Sequence, residues 1–250
     1  MKSGRRNSLT WLFDLDNTLH DASHAIFPAI NANMNAYMAR VLGTDGEPAS
    51  PELVNAKRID YWKRYGATLL GMVQHHNVKA EEFLHHAHRF DDLAAMIRGE
   101  RGLSATLDRL PGRKILLTNA PRLYARDVVR HLGLQQHFAS HLPIEAMSVH
   151  GRLRPKPSRA LLRKLMRREK LIPSRTVLVE DTPVNLKSAH QLGLRTVWLT
   201  RYVASNPHQQ SPALWFRGAA SHKRPGYVDV KVKSLASLPR QLRRLLSVQR

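Results

Sequence analysis

Apolar positions follow two different rhythms along this chain. Near the start, Leu9 to Phe13 is apolar except for Thr10 and runs straight into Asp14-Leu15-Asp16. A short apolar run of this kind predicts a buried strand. From about Phe27 to Leu103 the rhythm is helical instead. "AINANMNAYMARVLG" (29–43) stops at a glycine, and "SPELVNAKRIDYWKRYG" (50–66) opens with Ser50 as an N-cap and Pro51 in the first turn, then ends at Gly66. "ATLLGMVQHH" (67–76) and "KAEEFLHHAHRFDDLAAM" (79–96) continue in the same way, with Tyr61, Tyr65 and Met72 at the spacing of a helical core. Nothing between 27 and 103 reads as a strand, so residues 23–103 are expected to form a helical domain inserted into a core of 1–22 and 104–250.

After the insertion, strand and helix patterns alternate. "RKILLTN" (113–119), a weaker "HFASHLPIE" (137–145), "RTVLVED" (175–181), "RTVWLT" (195–200) and a polar-edged "YVDVKVKS" (227–234) predict strands. Between them "RLYARDVVRHLGL" (122–134), "KPSRALLRKLMRREKL" (156–171) and "VNLKSAHQLGL" (184–194) predict helices, the first and third closing at glycine. Alternation of this kind implies an α/β fold with a parallel sheet covered on both faces. The stretch 202–226 is rich in Pro, Ser and Gly and reads as a loop, with Trp215 and Phe216 expected to pack it against the core.

The polar residues that interrupt these strands change the picture. The first strand ends in Asp14 and Asp16, "ILL" ends in Thr118-Asn119, and "VLV" ends in Glu180-Asp181; Lys156 stands between two prolines before a helix. In a parallel sheet such strand ends lie on one side, where ligands of α/β folds bind. Buried carboxylates need a cationic partner. A hard divalent cation such as Mg²⁺ would supply it, together with phosphate oxygens, and Lys156, Thr118 and Asn119 suit the phosphate itself. Two strand-end residues spaced two apart can face one pocket. One aspartate can then attack phosphorus while the other transfers a proton to the leaving oxygen.

Charge adds a rival reading. The 250 residues carry a formal net charge of +21, with 18 Lys+Arg against 15 Asp+Glu in 1–150 and 22 against 4 in 151–250. This asymmetry suits either a solvated basic face, a field that steers a phosphorylated small molecule, or a nucleic-acid contact. "RKLMRREK" (163–170) and "RQLRRLL" (240–246) lack interleaved aromatic residues and read as outer helix faces, Leu161, Leu162, Leu165 and Met166 turning inward in the first. The solvated face is therefore favoured over nucleic acid. His75, His76, His85, His86 and His88 show no companion carboxylates and read as surface or substrate-pocket residues rather than a zinc site. There is no cysteine, no apolar run of membrane-spanning length, and no signal-peptide pattern at the basic start. A cytoplasmic protein is expected.

"FDLDNTL" with Asp14, Asp16 and Thr18, "LLTN" with Thr118, Lys156, and "EDTPVN" with Glu180, Asp181 and Asn185 resemble, in order, the four motifs of the haloacid dehalogenase (HAD) superfamily. The resemblance spans almost the whole chain. It implies a Rossmann-like core with an inserted helical cap. It further implies Asp14 as the nucleophile, Asp16 as general acid and base, and Thr118 and Lys156 as phosphoryl-binding groups. Mg²⁺ would lie on Asp14, Asp181 and the main-chain carbonyl of Asp16, with Glu180 and Asn185 behind them. Asp16 favours phosphate chemistry, because the dehalogenases of this superfamily usually lack the second aspartate and need no metal. "DLDNTLH", "YWKRYGATLLGM" (61–72), "FLHHAH" (83–88) and "VHGRLRPKPS" (149–158) are similar to the pyrimidine 5′-nucleotidase branch, whose usual phrase before the lysine is longer. The implied substrates are UMP and CMP. A phosphoglycolate- or sugar-phosphate-type substrate on the same machinery is one alternative, and a polyanion binder on a hydrolase scaffold is another.

Overall fold

The computed structural model describes residues 9–202 and 223–247, so the expected packing of Trp215 and Phe216 lies outside the described residues. The chain divides into two compact units, whose described parts are 9–22 with 97–202 and 223–247, and 23–96.

The first unit is built on a parallel sheet. Its strands are β1 (Thr10–Phe13), β2 (Arg113–Leu117), β3 (Ser140–Leu142), β6 (Thr176–Glu180), β7 (Arg195–Leu199) and β8 (Val230–Val232), ordered β3-β2-β1-β6-β7-β8 among the described residues. Two further strands, β4 (Ser148–Val149) and β5 (Arg152–Leu153), make a separate antiparallel hairpin. The sequence pattern does not announce this hairpin. Its two-residue turn, His150-Gly151, has positive φ at both positions (50° and 73°), as a type I′ turn requires.

Strands β1, β6 and β7 are apolar on both faces, as a sheet covered on each side demands. Trp11, Leu12 and Phe13 are all fully buried. Successive side chains alternate sides. Leu12 joins Ile115, Leu178 and the inner faces of helices α8 (Arg159–Arg168) and α9 (Pro183–His190). Trp11 and Phe13 stack along the opposite face, with Phe13 edge-on to Phe138. Helix α8 follows the expected pattern. Leu161, Leu162 and Leu165 are buried while Arg163, Lys164, Arg167 and Arg168 are exposed, and the Ser158 hydroxyl caps the helix by accepting from Leu161 N at 3.2 Å. The expected last strand, 227–234, shortens to three residues, and 235–241 is a 3₁₀ segment that only becomes α-helical at Leu242–Ser247. Pro239 lacks the N–H that an α-helical turn needs.

The topology sets the site. From the central β1 the chain builds one side of the sheet (β2, β3), then crosses to the other (β6, β7, β8). The order therefore reverses between β1 and β6, and the crevice at the carboxyl ends of such neighbours is where α/β sheets bind ligands.

The second unit is helical: α1 (Ile26–Leu42), α2 (Pro51–Tyr65), α3 (Thr68–His75), α4 (Ala80–Ala87) and α5 (Leu93–Met96), while the next helix, α6 (Leu103–Asp108), belongs to the first unit. Ser50 caps α2, and Gly66, at φ 79°, closes it. Arg58, buried on α2, ties α2 to α1 by donating to Asn35 Oδ1 at 2.8 Å and Asn31 Oδ1 at 2.9 Å. Tyr61 and Met72 are core residues and Tyr65 is half-buried. His75 and His85 are exposed, and no histidine joins a metal-type cluster among the described residues. No helix among the described residues is long and apolar enough to cross a membrane.

Helix α3 packs on α2 through Gly71, where a Cβ would stand 2.1 Å from Tyr61 Cγ and 2.4 Å from its Cβ. Gly71→Ala is expected to destabilise the protein by about 1–3 kcal/mol, the usual penalty of overpacking, although alanine is the better helix former. A urea denaturation curve shifted to higher midpoint would contradict this packing.

Candidate active site

Two adjacent strands, β1 and β6, deliver the acidic residues. Asp14 follows β1 directly and is fixed there by its N–H, which donates to Val179 O at 3.0 Å. Glu180 is the last residue of β6, and Asp181 follows it. The three carboxylates are buried, and one oxygen from each lies within 4.8 Å of the others.

A single ammonium holds this cluster together. Lys156 Nζ donates to Asp14 Oδ1 at 2.6 Å and to Glu180 Oε2 at 2.8 Å. The lysine reaches the cluster from the loop between β5 and α8, where Pro155 and Pro157 disfavour helix until Ser158 caps it. Its backbone is held by Asn119. The Asn119 Oδ1 accepts from Lys156 N at 2.9 Å, and Asn119 Nδ2 donates to Lys156 O at 3.1 Å. Both ends of the Asn119 side chain thus engage the lysine's peptide groups, and Nδ2 keeps a second N–H. Thr118, beyond β2, accepts the Ala120 N–H at 3.0 Å.

Glu180 is engaged at both oxygens: Oε2 accepts from Lys156 and, at 2.9 Å, from Asn185 Nδ2, and Oε1 accepts from Thr182 N at 3.2 Å. Asp181 accepts the Thr182 hydroxyl at 2.9 Å, and its main-chain carbonyl accepts the indole N–H of Trp198 at 2.9 Å. Thr18 donates to Asp14 Oδ2 at 3.4 Å, a long contact.

Electrostatics follow from this crowding. Burial, with repulsion from Glu180 and Asp181, holds the Asp14 carboxyl well above the ordinary aspartate range despite Lys156. Burial opposes the charge on Glu180, yet Lys156 outweighs it and keeps Glu180 below its usual value. Burial likewise opposes the ammonium, and Asp14 and Glu180 together hold it above the lysine range. Three carboxylates against one lysine leave room for a further cation. An all-oxygen donor set of this kind fits a hard divalent ion such as Mg²⁺.

Asp16 lies outside this cluster. The strand is over, and the chain turns through Asn17 at φ 57°, with Thr18 N and Leu19 N both bonding Leu15 O. The Asp16 Oδ1 meets the Tyr124 hydroxyl at 2.6 Å and His20 Nε2 at 2.9 Å. Sequence reasoning singled out neither partner. Tyr124 sits on α7 (Arg122–His131) in line with buried Ala125 and Val128, so its spacing reads as ordinary core. His20 is four residues from Asp16, a separation that carries meaning only once the turn is known. Burial, followed by the Asp16 charge, pushes the Tyr124 phenol well above its ordinary value and keeps it a donor.

Comparison with known proteins identifies a family and a fold. A family model described as haloacid dehalogenase-like hydrolase matches residues 10–193. The fold is similar to that of a HAD phosphatase from Thermococcus onnurineus, at 17% identity over 94% of this chain and 97% of that one, with a TM-score of 0.60. It is also similar to a predicted phosphatase from Clostridium acetobutylicum (16% identity, 94% and 98% covered, TM-score 0.59). A 2-haloacid dehalogenase from Pseudomonas syringae pv. Tomato gives 22% identity, 94% and 98% coverage and a TM-score of 0.55. At these identities the likeness concerns the fold.

Removing the ammonium isolates two buried carboxylates. Lys156→Met is expected to lower stability by about 3–5 kcal/mol, the usual result of breaking a buried ion pair from one side. Adding Glu180→Gln should recover part of that loss, because one of the stranded charges goes with it. Additive losses in a denaturation cycle would mean that the two residues do not interact.

Proposed function

We propose that this chain, which belongs to the haloacid dehalogenase-like hydrolases, is a Mg²⁺-dependent phosphomonoesterase that works through an aspartyl-phosphate on Asp14. The carrying observation is a division of labour between the two aspartates: Asp14 is paired with Lys156 inside the acidic cluster, while Asp16 is held apart from it by Tyr124 and His20. A dehalogenase needs only the first of these.

The chain's own residues supply each step. Asp14 presents its carboxylate at the strand end, one oxygen fixed by Lys156. It attacks phosphorus, forming an oxygen–phosphorus bond as the ester oxygen–phosphorus bond breaks. Asp16 gives its proton to the departing alkoxide. Water then attacks the phosphorus of the aspartyl-phosphate, Asp16 takes back a proton, and Asp14 is released with inorganic phosphate. Lys156 offsets charge on both the nucleophile and the phosphoryl group, and Thr118 offers its hydroxyl to the phosphoryl oxygens. Asp14, Asp181 and the Asp16 carbonyl would hold Mg²⁺, with Glu180, both of its oxygens occupied, and Asn185 supporting them. Bound there, the ion neutralises charge between carboxylate and phosphate.

For the substrate we favour a pyrimidine nucleoside monophosphate. The support is the likeness of 61–72, 83–88 and 149–158 to the pyrimidine 5′-nucleotidases, and a basic second half that attracts phosphorylated metabolites. In this reading residues 23–103 are the cap that selects the substrate, and 1–22 with 104–250 the catalytic core.

The test is a phosphate-release screen over phosphometabolites, each with Mg²⁺ and with EDTA. UMP or CMP should give the strongest signal, lost in EDTA and in Asp14→Asn. Asp16→Asn should lose turnover yet accumulate phosphoenzyme from a substrate with a good leaving group. A preference for phosphoglycolate or a sugar phosphate would keep the mechanism and remove the nucleotidase assignment. Undiminished activity in Asp14→Asn would refute the nucleophile. Silence from folded protein, with RNA binding that weakens steeply with salt, would favour the polyanion reading.

A further inference from the structure

We propose that Tyr124 and His20 are positioning residues that orient the proton-transferring carboxylate of Asp16. This rests on the reading of Asp16 as general acid and base.

Both groups converge on one oxygen. Asp16 Oδ1 receives the Tyr124 hydroxyl at 2.6 Å and lies 2.9 Å from His20 Nε2, and the two partners are themselves 3.3 Å apart. An ionised carboxylate accepts only, so Nε2 carries the proton toward it. Two donors on Oδ1 make it the less basic oxygen, and the proton exchanged in each half-reaction is then carried on Oδ2.

The surroundings make the clamp rigid. Tyr124 is 4% exposed and His20 is fully buried, so surrounding packing restricts both side chains. The His20 backbone is pinned by bridges to Asp16 and to Gly99, and Asp21 N donates to Arg98 O at 2.7 Å just beyond it. The His20 ring lies at the Tyr124 ring, centroid to centroid 6.3 Å.

The core itself gains little from this histidine. With Nε2 directed at Asp16, its Nδ1 is buried with no hydrogen-bond partner. A buried polar atom left in that state is destabilising, and an apolar side chain in the same space would avoid it. The compensating interaction is the one with Asp16. Asp16 itself follows a strand that has already ended, on a turn that passes through the left-handed region at Asn17. Backbone geometry alone does not aim its carboxylate, and side chains from elsewhere must.

The two halves of the clamp come from different parts of the chain. His20 lies on the same turn as Asp16, whereas Tyr124 is presented by α7, 108 residues later. The proton-transfer residue is therefore registered against the helix that follows β2, the strand that leads into Thr118. A shift of the turn relative to that helix would separate acid from phosphoryl-binding hydroxyl, and the clamp prevents it.

The experiment measures single-turnover cleavage of aryl phosphates with graded leaving-group acidity by wild type, Tyr124→Phe, His20→Asn and Asp16→Asn. Loss of an aimed proton donor hurts poor leaving groups most. For Tyr124→Phe we expect a loss of about 10- to 100-fold on the least acidic leaving group, the scale of a misplacement near 1 Å. We expect little loss on p-nitrophenyl phosphate, and so a steeper dependence on leaving-group pKa. His20→Asn, which retains a donor at shorter reach, should fall between Tyr124→Phe and wild type. A parallel loss across the whole series, or none, in variants that remain folded overturns the proposal. If Tyr124→Phe does not fold, His20→Asn decides it by the same criterion. A steepened slope in Asp16→Asn with unchanged slopes in the other two refutes the clamp alone. An unchanged slope in Asp16→Asn refutes the acid–base reading beneath it.

Discussion

One ammonium makes the site physically tenable. Strand ends bury Asp14, Glu180 and Asp181 side by side, and in a medium of low polarity three such charges would drive the strands apart or take up protons. Lys156 answers this from a distant point in the chain, reaching two of the three within hydrogen-bond range. Its own placement depends on Asn119, whose amide satisfies the N–H and the C=O of the same residue. The strand before Asn119 neighbours the one before Asp14, so Asp14, the lysine and the lysine's holder are bound into one frame by sheet register.

Against that frame Asp14 and Glu180 diverge. Both are buried and both face Lys156, but among the described residues Glu180 collects further donors from Asn185 and Thr182 while Asp14 has, besides the lysine, a long contact from Thr18. The carboxylate with more hydrogen-bond donors is held below its usual range, and the one with fewer is held above it. Environments that push like groups apart are how active sites assign roles to chemically similar residues.

The architecture was legible in the chain because its signals are local. Apolar runs, glycine stops and capping serines placed β1, β2, β6, β7 and their helices to within a few residues, and three polar strand ends with one loop lysine pointed to one chemistry. What stayed hidden depends on contacts distant in sequence or on unusual chemistry. Tyr124 meets Asp16 only after a helix has been laid on a sheet. The bonds of Asn119 to the peptide groups of Lys156 link residues 37 apart in the chain. The β4–β5 turn escaped because His150 occupies a position that asparagine or aspartate usually signals. His20 was hidden in plain view, beside a motif that drew attention to its carboxylates.

The outermost strands of the described sheet, β3 and β8, are its shortest, with three residues each. Lys231, in the middle of β8, folds back over the Trp198 ring at 4.5 Å. Short outer strands and a lysine in mid-strand are devices by which proteins deny a template to incoming chains. At both margins of the described sheet little strand is offered to an incoming chain, and continuation of this sheet by a second copy is disfavoured.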